Sequence, residues 1–516
     1  MKAHLLFADK DPVQTGELPA HSSDLSRDLD LDTLLDAMAA GDNLVRDVCL
    51  RCFLAQPITI AEVRYRHEVL TDLLAHPDQA RALYRLANDA AEVKRRIRIG
   101  LFNRDHPTWI LRSAVSILTE LTTALKGLRE FSSRSRSSFT SPGLQQLLGS
   151  IDRDLTDEYL GVLDDHLRRL KFPSGIHLTA RLGAGALGTD YVLRRPATVH
   201  GWLSAQWERL TRRDTYVYRL APQDESGGRI LSWLEDQGVN LVADAAAQSA
   251  DHIIDFFAHL RWELAFYIGV LNLHERLGTD CPTCLPDPQP AASGTLAARG
   301  LVDTALAVRS SSVPVPNDLD ATGRSLVMIT GANQGGKSTF LRAVGLAQLM
   351  MEAGCLVTAT EFRSSMASGI FTHFRREEDA TLTHGKLDEE LERMSGLVDL
   401  ITTHAMLLCN ETFACTNERE GSLIARDIVD CLNDTGTRVL YVTHMYPLAK
   451  GLADERPETA VFLRAERLDD GARTFRVRPG LPQTTSHGRD LYEQVFFDGA
   501  AHPAEPAASP ESARSS

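Results

Sequence analysis

The clearest chemical signature in this chain is the glycine-rich segment at residues 331–338, which ends in Lys337 and Ser338. Gly331 and Gly336 have four residues between them and a lysine and a hydroxyl behind them, which fits a loop whose backbone N–H groups surround phosphate oxygens. In such loops the lysine neutralises the β- and γ-phosphates, and the hydroxyl binds Mg²⁺. The pattern therefore predicts a nucleotide-binding loop, and the alternative is a glycine-rich turn without a ligand.

Each residue type of the predicted loop has its own expected task. Backbone N–H groups between Gln334 and Ser338 are expected to converge on the β-phosphate at the positive end of a helix. Lys337 is both a nucleotide ligand and a candidate catalytic residue, because it balances charge on the reacting phosphates. The predicted nucleotide-binding residues are Gly331, Asn333, Gln334, Gly335, Gly336, Lys337, Ser338 and Thr339.

The residues on either side of the loop give it the required strand-to-helix context. Residues 326–330 are a short apolar run typical of a buried strand, and residues 340–349 carry apolar side chains at helical spacing. Further short apolar runs alternate with helical patterns toward the C terminus, which predicts an α/β domain with a largely parallel central sheet. The other predicted strands are residues 355–358, 405–409, 439–442, 461–463 and 475–477.

Polar residues follow two of these predicted strands, at the sheet edge where parallel sheets carry their functional groups. Asn410 and Glu411 come after one strand, in the position where phosphate hydrolases have an acidic pair, and His444 comes after the next. We expect Glu411 to orient or deprotonate the attacking water and His444 to sense the γ-phosphate, so both are candidate catalytic residues. Taken alone, His444 is more typical of a structural histidine.

The predicted Mg²⁺ site consists of Ser338, Asn410 and Glu411. Asn410 is unusual in this set, because a carboxylate normally helps to hold the metal, whereas an amide offers one neutral oxygen. We therefore expect a weaker affinity for Mg²⁺, unless another group compensates.

The N-terminal part of the chain has a different, mostly helical pattern. Apolar residues recur at helical spacing from residue 25 to about 150, with a polar break at 132–143, and again over 248–277. Short, glycine-punctuated alternation between 173 and 196 predicts a β-hairpin inserted between helices. A segment rich in proline and alanine, which starts at residue 281, predicts a linker.

These patterns predict a multidomain protein in which a helical core region with a small β insertion precedes the α/β domain. The predicted boundaries are 1–24 for an N-terminal extension, 25–280 for the helical region with its insertion near 173–196, 281–300 for a linker, 301–498 for the α/β domain and 499–516 for a disordered tail. A length of 516 residues accommodates about three domains, and 43% hydrophobic with 24% charged residues is ordinary for a soluble globular protein.

Composition also limits location and cofactors. No run approaches the roughly 18 apolar residues of a membrane span, and residues 1–7 are too short for a signal peptide, so we expect a cytoplasmic protein. Eight cysteines suit a reducing compartment. The pairs Cys49/Cys52 and Cys281/Cys284 allow a four-thiolate zinc site in principle, but their wide separation favours simple packing.

A net charge of −14 argues against a protein that coats nucleic acid by bulk electrostatics, although local basic patches remain candidates for phosphate contact. For each patch the alternative is a solvated helix face. The three basic runs are Lys94, Arg95, Arg96, Arg98 and Arg104, then Arg168, Arg169, Lys171, Arg181, Arg194 and Arg195, and then Arg209, Arg212, Arg213 and Arg219.

Together these residues resemble the MutS-type ATPases of DNA mismatch repair, a family within the ABC-like ATPases. The likeness is strong over about residues 300–498 and weaker from about 25 to 280. The segments that carry it are 315–319, which leads into the phosphate loop, 330–341 with Asn333 at the family's distinctive asparagine, 410–421 with the acidic pair and the following loop, 443–448 with a threonine–histidine switch, 485–488 at the start of a closing helix, and 54–58 with 64–66 in the helical core.

The resemblance implies a homodimer in which two ATPase domains face each other and a signature loop of one subunit closes the nucleotide of the other. In this chain the corresponding stretch lies around 383–391. His384, Gly385 and Lys386 stand where the family usually offers a serine to the γ-phosphate. The local alternative is a helix N terminus with acidic residues that favour its dipole.

The resemblance also marks a departure, because residues 1–24 are too few for the family's N-terminal module that recognises a mismatch. What it leaves is helical levers and a reduced clamp, at 173–196, joined to an ABC-like ATPase domain. The implied function is a DNA-binding ATPase that couples the binding and hydrolysis of ATP with Mg²⁺ to clamp and lever motion on DNA. The implied setting is mismatch repair or recombination, with a repair protein as a further partner.

Two other functions remain open. A non-catalytic, ATP-gated scaffold fits Asn410 and the missing signature serine, and its levers would hold a protein partner in place of DNA. A small-molecule kinase with the same loop fits less well, because His444 and the dimer-facing loop would lack a purpose.

Overall fold

Apolar side chains at helical spacing form the helices of the first part of the chain. The computed structural model describes residues 1–54, 58–98, 106–173, 175–183, 188–194, 225–332, 334–376, 385–468 and 473–483. These helices are α1 Ser22–Asp28, α2 Leu31–Ala39, α3 Asn43–Leu54, α4 Ile60–Ala75, α5 Pro77–Ala91, α6 Val93–Arg98, α7 Pro107–Ser135, α8 Pro142–Asp154, α9 Asp157–Leu170 and α10 Glu225–Leu277. Proline occupies the first turn of α5, α7 and α8, where its missing N–H has no helical acceptor to lose. Among the described helices, none has the continuous apolar stretch that a bilayer crossing requires.

The chain divides into two units. The first, the helical unit, comprises Met1–Gly16, Asp42–Cys49 and Arg64–Leu271, and the second, the sheet unit, comprises Glu17–Gly41, Leu50–Val63 and Asn272–Ser516. This division differs from the predicted boundaries at residues 24 and 280. The segments Glu17–Gly41 and Leu50–Val63, which contain helices, belong to the sheet unit, and the later boundary falls between Leu271 and Asn272.

The first residues belong to the core of the helical unit, which corrects their prediction as an extension. Leu5 and Leu6 are fully buried, and their N–H groups donate to the buried carboxylate of Glu263 at 2.6 and 2.8 Å. The Tyr267 hydroxyl donates to the Leu5 carbonyl oxygen at 2.6 Å. Burial raises the pKa of Glu263 to about 7.

The predicted β-hairpin is present in the helical unit. Its strands, β1 His177–Leu182 and β2 Gly188–Arg194, pair in antiparallel fashion. Leu178 approaches α10 so closely that a Cβ on Gly238 would lie 2.1 Å from its Cδ2. A residue larger than glycine at position 238 would therefore require the Leu178 side chain to move.

The polar break predicted at 132–143 is shorter in the structure. Helix α7 continues through its serine-rich end, because Ser132 is buried and its hydroxyl donates to the Asp152 carboxylate at 2.7 Å. A 3₁₀ turn at Arg136–Ser138 follows, and α8 begins at Pro142. The serines thus supply hydrogen bonds between helices as well as a helix end.

The sheet unit alternates strands and helices around a six-stranded sheet, and a largely parallel central sheet is confirmed. Its elements are β3 Asp287–Gln289, β4 Leu296–Leu301, α11 Thr304–Arg309, β5 Asn317–Asp320, β6 Leu326–Thr330, α12 Lys337–Glu352, β7 Glu361–Ser365, β8 Ile370–Phe374, α13 Lys386–Val398, β9 Met406–Asn410, α14 Glu418–Asp434, β10 Arg438–Val442, α15 Tyr446–Glu455, β11 Ala460–Arg467 and β12 Arg473–Pro479. The strand order is β12-β11-β6-β10-β9-β8, and every neighbouring pair is parallel except β11 with β12. One apolar core joins this sheet to α13, α14 and α15. The predicted segments 485–488 and 499–516 lie outside the described residues.

Two predictions for this unit are wrong. The segment 281–300 is not a linker, because it contains β3 and β4 of a second sheet with the order β3-β7-β4-β5. Pro288 is tolerated there since β3 is an edge strand that pairs only with β7. Residues 355–358 are not a strand, because Val357 forms one isolated bridge with Cys284. Strands β7 and β8, in contrast, were not predicted.

Candidate nucleotide site

The glycine-rich loop connects the buried strand β6 to α12, as the sequence predicts. Gly331, Gln334 and Gly336 have φ angles of 115°, 59° and 91°, so the loop repeatedly enters the left-handed region. A Cβ on Gly335 would lie 2.9 Å from the Ala332 carbonyl oxygen. No described side chain caps α12 at Gly336. The positive end of α12 is therefore available to an anion held by the loop.

Lys337, the first residue of α12, is 5% exposed. Its Nζ donates to the carbonyl oxygens of Gly331 at 2.9 Å and Ala332 at 3.1 Å. Burial lowers the pKa of Lys337, and the negative charge of Glu411 acts in the opposite direction. A buried cation held by neutral carbonyls is well suited to exchange them for phosphate oxygens.

Ser338 and Asn410 meet at the predicted metal position. Ser338 Oγ donates to Oδ1 of Asn410, the last residue of β9, at 2.8 Å. Both are neutral oxygen ligands. In the described part of the chain, no group of three or more His, Cys, Asp and Glu side chains is arranged to hold a metal ion. A divalent ion here would take most of its charge compensation from nucleotide phosphates.

Glu411 and His444 lie at the carboxyl ends of the neighbouring strands β9 and β10 and hydrogen-bond each other through Oε2 and Nδ1. Glu411 has a φ of 56°, and its N–H donates to the Val442 carbonyl oxygen at 2.9 Å. The hydrogen bond to the Glu411 carboxylate raises the pKa of His444, against the lowering effects of burial and of the charge on Lys337. The structure thus brings the three candidate catalytic residues together.

A cavity of about 610 Å³ adjoins the loop. Six residues of the predicted nucleotide-binding and catalytic set line it, namely Gln334, Gly336, Lys337, Ser338, Thr339 and Glu411. Its lining also includes apolar side chains, namely Val313, Pro314, Val315 and Phe475. Polar groups beside the loop and an apolar remainder match what phosphates and a nucleobase need.

Sequence reasoning missed the residues that shape the apolar part of this cavity. Phe475 in β12 has a φ of 58° and is half exposed. Asn317 fixes it, because Nδ2 donates to the Phe475 carbonyl oxygen at 3.3 Å and Oδ1 accepts from the Val477 N–H at 2.7 Å. Arg473 donates to Gln334 Oε1 at 2.6 Å. These contacts join segments distant in sequence, so no local pattern signals them.

The remaining predicted site residues are only partly described. Asn333 and His384 lie outside the described residues. Gly385 is the N-cap of α13 and Lys386 is its first residue, and acidic residues occupy the first turn. The local alternative for this segment, an acid-rich helix start, is confirmed, and contact with a second subunit stays a prediction.

The cysteine pairs contribute little to the site. All eight cysteines lie within the described residues, and they form no disulfide. Cys49 is fully buried in α3. Burial raises the pKa of Cys281, and that of Cys284 to about 11, which disfavours the thiolates that zinc requires.

Most described members of the basic runs pair with acidic groups. Lys94 Nζ lies 2.5 Å from Asp251, and Arg168 and Arg169 both form ion pairs with Asp165. These pairs favour the solvated helix face as the explanation of the runs on α6 and α9.

The hairpin arginine Arg194 differs from these. It is exposed, and it donates to a neutral acceptor, Thr179 Oγ1, at 3.0 Å. Its charge is therefore available for phosphate contact. The other candidates Arg104, Arg195 and the run at 209–219 lie outside the described residues.

Two family descriptions match this chain. The MutS2 N-terminal domain matches residues 58–280, and MutS domain V matches residues 327–488. The first match includes most of the helical unit, and the second includes the glycine-rich loop, Glu411 and His444.

Similar curated proteins carry repair names. The DNA mismatch repair protein MutS of Desulforamulus reducens is 31% identical over 203 residues, which cover 36% of this chain and 23% of that protein. The DNA mismatch repair protein MutS of Thermus aquaticus is 32% identical over 180 residues, which cover 34% and 22%. The probable DNA mismatch repair protein Msh6 of Drosophila melanogaster is 32% identical over 142 residues, which cover 27% and 12%. The chain thus spans less than a quarter of each of these relatives. With its helical part and its sheet part both matched by MutS-type domains, the chain is a MutS-related protein.

Proposed function

We propose that this protein is a Mg²⁺-dependent ATPase that couples ATP binding and hydrolysis to clamp and lever motion on DNA, in mismatch repair or recombination. The enzyme part rests on one observation, the approach of Glu411 and His444 to Lys337 at one end of a parallel sheet. The DNA part rests on the relatives' names, which are those of mismatch repair proteins.

The loop suits a triphosphate in shape and charge. Its left-handed residues leave room for oxygens, and a Cβ on Gly335 would clash with the loop itself. The uncapped start of α12 and the buried cation of Lys337 supply the positive potential. The apolar lining around Phe475 suits a nucleobase.

Hydrolysis needs a group that orients water and groups that stabilise charge on the γ-phosphate. The Glu411 carboxylate has the first role, because it lies at the strand end beside the cavity with its backbone N–H fixed. His444 donates from Nδ1 to Glu411, so its Nε2 is left to hydrogen-bond the phosphate when the ring is protonated. Lys337 exchanges its carbonyl partners for phosphate oxygens.

Mg²⁺ supplies charge compensation on the phosphates when it is bound. Ser338 Oγ and Asn410 Oδ1, which are 2.8 Å apart, and the Glu411 carboxylate beside the same cavity are the described protein oxygens that would hold it. The first two are neutral, so the nucleotide phosphates must contribute much of the charge compensation for the ion.

Phosphate release with ATP and Mg²⁺ tests the enzyme part. We expect Glu411→Gln to lower kcat by about a hundredfold while ATP still binds, because the amide keeps the shape and loses the base. Lys337→Ala should weaken ATP binding as well, because it removes the buried cation. The matched control is Glu458→Gln, an exposed glutamate of the same unit, which should behave like the wild type. Equal rates in all four proteins would refute the proposal.

DNA binding and dimerisation need their own measurements. Affinity for homoduplex, mismatched and branched DNA should fall with rising salt, because Lys and Arg contacts to phosphates release counterions. No affinity for any of these DNAs at low salt would end the DNA part. Sedimentation with and without ATP tests the homodimer, and a monomer under both conditions would exclude closure between subunits.

A second function, the ATP-gated scaffold, is favoured by the neutral pair Ser338 and Asn410. Such a protein would dimerise with ATP and grip a protein partner with negligible turnover. Asn410→Asp discriminates between the two functions. Restoring the carboxylate should raise turnover clearly if weak metal binding is what limits a scaffold, and only modestly if the natural protein already hydrolyses ATP.

A further inference from the structure

The loop after β9 has an unusual backbone on both sides of Thr412. Glu411 has a φ of 56° and Phe413 has a φ of 60°, in the left-handed region that residues other than glycine seldom occupy. Such conformations persist only where surrounding contacts impose them. The direction of the Glu411 side chain therefore depends on what holds Thr412 and Phe413.

Three buried groups from separate elements hold this loop. The Phe413 N–H donates to Glu390 Oε2 on α13 at 2.7 Å. The Tyr441 hydroxyl on β10 donates to the Thr412 carbonyl oxygen at 2.7 Å. The Thr412 hydroxyl lies 2.7 Å from the His373 carbonyl oxygen on β8.

His373 connects this loop to α13 a second time. The ring is fully buried, and burial lowers its pKa to about 4, so it is neutral at physiological pH. Its Nε2 lies 3.1 Å from the Glu390 carbonyl oxygen, which only an N–H can approach, so Nε2 carries the proton. The Thr412 hydroxyl has one proton, and both the His373 carbonyl oxygen at 2.7 Å and Nδ1 at 3.1 Å face it as acceptors.

We propose that Glu390 is a positioning residue for the Glu411 carboxylate, because its side chain anchors the Phe413 N–H and so fixes the left-handed loop. This inference rests on the proposed ATPase function. Glu390 is 5% exposed and does not belong to the lining of the nucleotide cavity, so it acts through Phe413.

The proposal gives Glu390 a role as an acceptor, not as a charge. A buried N–H without an acceptor is costly, and the loop can relieve that cost by turning the Phe413 N–H toward water. A change of φ at Phe413 would swing Thr412 and Glu411 with it. Glu411 would then lose its alignment with His444, while Lys337 and the glycine loop stay in place.

Two substitutions separate the acceptor from the charge. Glu390→Gln keeps the length of the side chain and an oxygen acceptor, and it removes the charge. Glu390→Asp keeps the charge and withdraws the acceptor by one methylene. We expect kcat for ATP hydrolysis to stay within about twofold of the wild type in Glu390→Gln and to fall about tenfold in Glu390→Asp. The KM and the ATP affinity should change in neither variant.

A control in the same helix removes the alternative of general destabilisation. Leu397 is 6% exposed on α13 and belongs to the apolar core, so Leu397→Ala weakens the packing of α13 and keeps the Glu390 acceptor of the Phe413 N–H. Assayed below its melting temperature, Leu397→Ala should keep the wild-type kcat. A parallel loss of kcat in Leu397→Ala would overturn the positioning role.

The outcomes separate this inference from the proposed function. A wild-type protein without ATP turnover would sink the proposed function and this inference with it. Turnover in the wild type with kcat in Glu390→Asp equal to or above that in Glu390→Gln would sink the inference alone. If Glu390→Asp does not fold, Tyr441→Phe tests the same loop from β10, and an unchanged kcat in that variant would also contradict loop positioning.

Discussion

We expect Glu352 to make the stability of the sheet unit depend on pH. It is the last residue of α12 and is 8% exposed. Its Oε1 accepts from the Ala367 N–H and from Gln348 Nε2, each at 2.7 Å. These two hydrogen bonds do not compensate for the loss of water around a carboxylate, and burial raises the pKa of Glu352 to about 7.

The sign of the effect follows from proton binding. The ordinary pKa of the glutamate is 4.5 and the folded value is about 7, so between these values the folded state binds more protons than the unfolded state. Stability therefore falls as the pH rises through this window, and the cost is complete above it. At about 1.4 kcal/mol for each pH unit, the cost above about pH 7 has an upper limit of about 3 to 4 kcal/mol. Glu352→Gln cannot ionise, so it should remove this dependence.

Urea denaturation of both proteins at about pH 5 and about pH 8 measures the effect. The free energy of unfolding of Glu352→Gln, relative to the wild type, should rise by up to about 3 kcal/mol between these pH values. Far-UV circular dichroism reports on both units. Tryptophan emission reports on the helical unit, because all five tryptophans fall in its sequence range, at Trp109, Trp202, Trp207, Trp233 and Trp262. Comparison of the two signals therefore shows which unit changes in stability.

A matched control exists in the helical unit, where burial also raises the pKa of Glu263 to about 7. Glu263→Gln should shift the tryptophan-detected transition in the same direction with pH. If the difference between Glu352→Gln and the wild type is the same at both pH values, the argument from burial is refuted.

Three further predictions concern the proposed site and its surroundings. The contact with Glu411 raises the pKa of His444, so this contact stabilises the fold fully below about pH 6.5, and the stabilisation is lost as the pH rises through the raised pKa. The ATPase rate should fall over the same pH range. His444→Gln should abolish this fall in the pH–rate profile. In Gly421→Ala the new Cβ would lie 2.4 Å from the Phe413 carbonyl oxygen, so we expect about a tenfold loss of kcat with ATP affinity retained, and an unchanged kcat would contradict the geometry. Arg438 donates to backbone carbonyls before β4 and before β6, and Arg438→Met should destabilise the sheet unit by about 3 kcal/mol in urea, whereas a loss below about 1 kcal/mol would show that these bonds contribute little.

The main features of the fold could be predicted where one local pattern decided the structure. The run at Leu326–Thr330 became a buried strand, and the apolar spacing after the glycines became α12. Residues 355–358 carry a similar apolar run, yet Val357 forms only one bridge. Burial selects apolar residues in irregular segments as well as in strands, so a short apolar run does not identify a strand.

The prediction of a linker at 281–300 was wrong for a related reason. Proline and alanine favour a loop in sequence terms, but an edge strand needs only one hydrogen-bonded side, and Pro288 satisfies that requirement in β3. Pairing with β7 and β5 decides the conformation of β3 and β4, and those strands lie at least 16 residues away in the chain. Local propensity contains no information about such partners.

The residues of the candidate site also differ in whether a local sequence pattern predicts them. Lys337, Glu411 and His444 could be named from sequence because each follows a recognisable turn or strand end, and the sheet order then makes them neighbours. In the register of β9 with β10, Asn410 lies opposite Val442, so the next residues of both strands emerge side by side. Glu390 could not be named in this way, since it directly follows the acidic first turn of α13, and such a run of acids is equally typical of a solvated helix start. Its burial against Phe413 follows from the packing of α13, and for that reason the substitutions at Glu390 test structural information that the sequence motifs lack.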